Sequence, residues 1–250
     1  MVARARQAGV EYIVNPGVDS ETSRSAVHLA AKYPEVYAAV GIHPNDINEW
    51  DERTLDQIKE LAARPKVVAI GEIGLDYYRD TTPHELQKQV FQQQLKLAAA
   101  LDLPVIIHSR NASPDDQRAI LDILDILEAW QAGLERHNSP LGVLHSFSAG
   151  LDAARNAIKL NFLIGITGPV TFRNAPELRS LVQQLPLENL VIETDAPFLT
   201  PHPYRGKRNE PGLVKLVAEK LAEIHDLPFD EIALITKKNA GRLFNWQVNH

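Results

Sequence analysis

Short apolar runs alternate with longer amphipathic ones along the whole chain. The runs at 12–15 (YIVN), 36–43 (VYAAVGIH), 66–72 (KVVAIGE), 104–108 (PVIIH), 142–145 (GVLH), 162–166 (FLIGI) and 190–195 (LVIETD) have the length and β-branched content of buried strands. Between them, the spacing and the start and stop residues predict helices over 20–33, 55–63, 83–101, 115–135, 153–160, 176–185, 213–226 and 229–239. Ser20 is a candidate helix cap, and Pro83 stands at a helix start, where a missing N–H costs nothing. Strands that alternate with helices pair in parallel through right-handed crossovers. A doubly wound open sheet and a closed barrel both satisfy this pattern. No proline- or serine-rich linker interrupts it, so residues 1–250 are expected to form a single domain.

Four of the strands end alike, on Glu72, His108, His145 and Asp195. A carboxylate such as Glu72, placed in an apolar run between two glycines, costs free energy unless something positive or hydrogen-bonding receives it. In an α/β barrel of about 250 residues, all strand C-termini converge on one mouth. One strand-end histidine is ordinarily a structural residue, but four such groups in equivalent positions point to a bound dication. Two imidazoles and two carboxylates suit Zn²⁺, Mn²⁺ or a similar ion, which would also stabilise Glu72 in its ionised form. Glu193 lies two residues before Asp195 on the same strand, so both side chains point to one face. Asp195, nearer the mouth, is the better ligand and proton acceptor, and Glu193 is expected to orient a neighbouring ligand. His43 also ends a strand, where substrate contact and structural hydrogen bonding are equally open. His84, His137, His225 and His250 read as surface residues.

The chain carries a formal charge of −6, which argues against a basic protein that coats nucleic acid non-specifically. It makes the cationic loop after the last strand, PHPYRGKRNEPG, more conspicuous. There Arg205, Lys207 and Arg208 are candidates for gripping phosphate oxygens, and Asn209 with Pro211 resembles a helix start aimed at the same region. With no cysteine, neither a disulfide nor a thiolate metal site is available. No apolar run approaches the roughly 18 residues of a membrane span, and the N-terminus lacks a secretory apolar core. The expectation is a cytoplasmic protein with no membrane association and no obligatory protein partner.

Six segments in order, VGIHP, GEIGLDYY, PVIIHSR, LHSFS, IETDAPFLTP and YRGKRNEP, resemble the TatD family of metal-dependent deoxyribonucleases, from about Ala8 to Phe244. The resemblance implies a TIM-type (β/α) barrel holding one or two divalent ions (Zn, Mn, Mg or similar) and hydrolysing phosphodiester bonds in DNA. It implies that Glu72, His108, His145 and Asp195 are metal ligands, Glu72 the bridging one. The catalytic pair would be Asp195 and Glu72, and the phosphate contacts would be Arg205, Lys207, Arg208 and His43.

The family's first strand, which ends in His-x-His, has no counterpart here, so seven of eight strands are expected. The natural protein is therefore expected to be longer by roughly 20 residues, a strand and the start of a helix. Two other readings remain open: a metal-dependent esterase or amidase, such as an aminoacyl-tRNA deacylase, and a noncatalytic truncated barrel.

Overall fold

A computed structural model describes residues 1–79, 81–134 and 139–246. The expected helix end at Glu135, together with His137 and His250, lies outside these residues.

The chain begins in a short helix, α1 (Val2–Gln7), followed by β1 (Ile13–Pro16), α2 (Ser20–Lys32), β2 (Val36–Val40), α3 (Glu52–Ala62), β3 (Val67–Asp76), α4 (His84–Leu101) and β4 (Val105–Arg110). Then come α5 (Arg118–Gln131), β5 (Gly142–Leu144), α6 (Leu151–Lys159), β6 (Phe162–Ile166), α7 (Pro176–Gln183), β7 (Leu190–Ile192), α8 (Val214–His225) and α9 (Phe229–Phe244). The seven strands pair in chain order, every neighbour parallel, in an α/β fold of TIM-barrel type. Among the described residues no helix is long and apolar enough to cross a membrane.

Helix starts are set by local side chains. Asp19, rather than Ser20, caps α2: its carboxylate accepts the Thr22 N–H, and Thr22 in turn receives the Asp19 N–H. Such reciprocal capping satisfies two otherwise orphaned donors. His84 and His225 are half-buried rather than on the surface, and His84 stacks on Tyr77 at 3.7 Å between ring centroids.

The two faces of the sheet bury separate apolar groups. Ile70, Ile107, Leu144, Ile164 and Leu190 pack outward against the helices, in one large core that includes Phe91, Leu95, Ile123 and Leu127. Burying each side chain of this size is worth about 1.5–3 kcal/mol. The inner face carries Ala39, Ala69, Ile106, Val143, Leu163 and Val191, one from each of β2 to β7. Leu243 of α9 packs on this inner layer, with Ala240 and Phe244 beside it. Helix α9 thus runs five residues past its predicted end at 239, because its last turn supplies the apolar plug of the barrel floor. Trp246 continues the plug, with its ring 4.8 Å from Tyr12, 5.1 Å from Tyr37 and 5.0 Å from Phe244.

Candidate metal centre

Side chains two apart on a strand share a face. Two residues beyond the inner layer, β4, β5 and β7 therefore present His108, His145 and Glu193, and Asp195 follows two further on. Strand β3 breaks this rhythm. Ile70 lies opposite Val105 but Ile73 lies opposite Ile107, so β3 holds one extra residue there. This bulge spans Gly71 and Glu72, and the Glu72 N–H leaves the ladder to bond the Gly17 carbonyl at 2.9 Å. A bulge re-aims a side chain, which is how a carboxylate inside an apolar run reaches the site.

Two glycines make room for the site. Gly74 has φ 141°, and a Cβ there would stand 2.1 Å from the His108 carbonyl oxygen. A Cβ on Gly165 would stand 1.5 Å from Glu193 Oε1.

Each site histidine lies between two carboxylates. His108 meets Glu72 Oε1 through Nδ1 at 2.8 Å and Asp76 Oδ2 through Nε2 at 3.3 Å. His145 meets Glu193 Oε2 through Nδ1 and Asp195 Oδ1 through Nε2, the latter at 3.3 Å. Burial works against a charge on His145, but the Glu193 charge and the hydrogen bonds to Asp195 and Glu193 outweigh it and raise its pKa well above the usual imidazole range. His108 is raised for the same reason, with burial opposed by hydrogen bonds to Asp76 and Glu72. Burial alone would push the Glu72 pKa up. The His108 hydrogen bond and the charges of His145, His108 and His43 instead lower it to about 2.

His43 packs edge-to-face on His108, with centroids 4.3 Å apart, and its Nε2 lies 3.9 Å from Glu72 Oε1. Burial and the neighbouring His108 charge lower its pKa to about 4, so it is neutral at pH 7. Its Nδ1 accepts the Asn45 N–H at 3.2 Å, which leaves the ring proton on Nε2, facing the site. Ligand atoms of His43, Glu72 and His108 lie within 4.8 Å of one another.

The residues present fit a divalent cation. The donor set is imidazole and carboxylate, and among the described residues the buried Glu193 Oε1 has no hydrogen-bond partner. Oriented imidazoles and an unsatisfied buried carboxylate oxygen are what a positive ion would satisfy.

Arg205, Lys207 and Arg208 are exposed. The Arg205 guanidinium lies over the Phe172 ring at 4.1 Å, and Lys207 and Arg208 line a pocket with Arg4 and Tyr204. Asn209 does not act as a helix start. It is fully buried, and its amide donates to the Thr194 and Phe198 carbonyls at 2.7 and 2.6 Å. This clamp holds the loop carrying Asp195, whose backbone lies in the left-handed region (φ 55°) that a short polar side chain tolerates best. The strand-end pattern does not single out Asp76, although an aspartate between Leu75 and Tyr77 is a visible signal of a buried, bonded carboxylate.

The family model described as "TatD related DNase" matches residues 1–245. The chain is 46% identical over 244 residues to the uncharacterized metal-dependent hydrolase YabD of Bacillus subtilis, a match covering 98% of this chain and 91% of that protein. It is 37% identical over 250 residues to the 3'-5' ssDNA/RNA exonuclease TatD of Cronobacter turicensis, covering 98% and 90%. The crystal structure of YjjV, a TatD homolog from Escherichia coli K12, superposes with a TM-score of 0.87 at 35% identity, covering 98% of this chain and 90% of that one. The chain belongs to the TatD-related DNase family.

Proposed function

We propose that this chain is a metal-dependent hydrolase that cleaves phosphodiester bonds in single strands of DNA or a related nucleic acid, and that residues 1–250 act as one domain. The observation that carries the reading is a pair of histidine–carboxylate clusters at the C-terminal ends of β3, β4, β5 and β7, Glu72–His108–Asp76 and Glu193–His145–Asp195, with the His145 charge felt at Glu72. Among the described residues, the ligand atoms that lie within 4.8 Å of one another are those of His43, Glu72 and His108. The family description and the exonuclease names of relatives support the substrate class.

Glu72, His108, His145 and Asp195 would hold a divalent ion, which when bound would supply Lewis acidity to water and to a phosphoryl oxygen. Asp195, the most exposed of these four, accepts the proton of the attacking water. Glu72 contributes permanent negative charge at the centre, since its pKa of about 2 keeps it ionised at neutral pH. Glu193 fixes the His145 ring by accepting from Nδ1. His43 donates its Nε2 proton to a non-bridging phosphoryl oxygen, the role left to a neutral ring whose Nδ1 is already bonded. Arg205, Lys207 and Arg208 bind backbone phosphates further along the strand.

The test uses the full chain, stripped of metal and reloaded with Zn²⁺ or Mn²⁺, with an end-labelled single-stranded oligonucleotide. Metal-dependent shortening of the oligonucleotide is expected. A loaded protein that leaves it intact while hydrolysing a simple carboxylic ester would overturn the reading.

A further inference from the structure

The structure assigns Asp76 as the residue that positions His108 for metal binding. The assignment rests on His108 being a metal ligand, as proposed above. Asp76 is 1% exposed, and its carboxylate is bonded on both oxygens. Oδ1 accepts the backbone N–H groups of Tyr78 and Arg79 at 3.0 and 3.2 Å. Oδ2 accepts the Asn45 side-chain amide at 2.9 Å and faces His108 Nε2 at 3.3 Å. Its backbone is held as firmly: buried Gln87 accepts the Asp76 N–H at 2.9 Å and donates to the Asp76 carbonyl at 3.0 Å.

An ionised carboxylate can only accept. By that rule Asp76 takes a proton from His108 Nε2 and Glu72 takes one from Nδ1; once a cation occupies Glu72, only Asp76 still holds a proton, on Nε2, and the neutral ring is left with its lone pair on Nδ1. That nitrogen is 2.8 Å from Glu72 Oε1, where a cation would sit. Glu193 does the converse for His145 by occupying Nδ1, which turns Nε2 toward Asp195. Asp76 also reaches His43, because the Asn45 whose side chain it holds donates its backbone N–H to His43 Nδ1. One buried carboxylate thereby fixes two neighbouring rings.

The substitution Asp76→Asn tests this with little change in volume. Two backbone N–H groups need an oxygen at the Oδ1 position against one Asn45 amide donor at Oδ2, and that amide can turn its own oxygen, so the new amide places its NH₂ against His108 Nε2. That nitrogen becomes an acceptor and the ring proton moves to Nδ1, where it blocks the metal. Zinc affinity, measured by competition with a chromophoric chelator, is expected to fall roughly 10- to 100-fold. In the zinc-loaded wild-type protein, nitrogen-15 NMR of His108 is expected to show the proton on Nε2. That measurement decides the matter even if Asp76→Asn fails to fold. A wild-type proton on Nδ1, or an Asp76→Asn protein that binds zinc like wild type, overturns the assignment. His108→Ala separates the two levels of the argument. If it binds zinc as tightly as wild type, the ligand reading fails and the assignment with it. If His108→Ala loses affinity and Asp76→Asn does not, only the assignment fails.

Discussion

Gly165 and Glu193 share a single volume: the inner face of β6 is bare at Gly165, and the Glu193 carboxylate occupies the space a Cβ would take, 1.5 Å from Oε1. Gly165→Ala is therefore expected to push Glu193 off His145. Overpacking of this kind costs about 1–3 kcal/mol. Zinc affinity should fall alongside stability. Thermal melting and chelator competition check both, and an Ala variant unchanged in each would show that the carboxylate has another place to go.

Asp195→Asn is expected to keep the fold and to remove most hydrolysis, because an amide neither accepts the water's proton nor supplies negative charge. General-base loss alone is typically worth about 10²–10⁴ in rate. Single-turnover cleavage of the oligonucleotide is the measurement. Turnover near wild type would reject the role.

Replacing Arg205, Lys207 and Arg208 together by Ala should weaken single-strand binding. Its salt dependence should flatten by about two logarithmic units of slope, at about 0.7 for each phosphate no longer neutralised. Zinc content should not change, since these side chains are exposed and outside the donor set. Binding isotherms across a salt series would expose the alternative, a solvated turn, as an unchanged slope.

The metal-free protein should be most stable at about pH 6.5, the ordinary imidazole value. His108 and His145 have pKa values raised on folding, so their contribution is complete below the unfolded value and is lost as pH rises through the folded ones. Glu72 works oppositely: its contribution is complete above 4.5 and is lost as pH falls toward about 2. His43, with its pKa lowered to about 4, also weakens the fold as pH drops below 6.5. Melting temperatures measured in chelator, from acid to alkaline pH, should trace this maximum. Saturating zinc should flatten the alkaline side, because the cation takes over the role of the two protons.

Much of the candidate site's geometry is legible in the sequence because the barrel writes it with period two. Ile106 and His108, or Val143 and His145, are an apolar floor residue and a polar site residue on one face of one strand. Glu72 is legible as an anomaly, but its bulge is not, since an extra residue in β3 leaves no mark on the apolar pattern. For the same reason the pattern ends the strand at Glu72, whereas it continues to Asp76. Asp76, Asn45 and Asn209 carry their roles through partners distant in sequence, which no local spacing announces.

The plugged floor has a consequence for the order in which the site fills. Leu243 and the inner apolar layer leave the polar ring backed by hydrocarbon, so its field is directed outward through the mouth. Without metal that ring holds more carboxylates than imidazoles, and an approaching polyanion meets its own sign. One divalent ion that displaces the two ring protons leaves that sum unchanged but would offer a phosphoryl oxygen a direct ligand, so strand affinity measured with Zn²⁺ should exceed that measured in chelator; equal affinities would contradict this. A bound cation would then be a gatekeeper as well as a reagent, admitting a nucleic acid only to a site already armed to cut it.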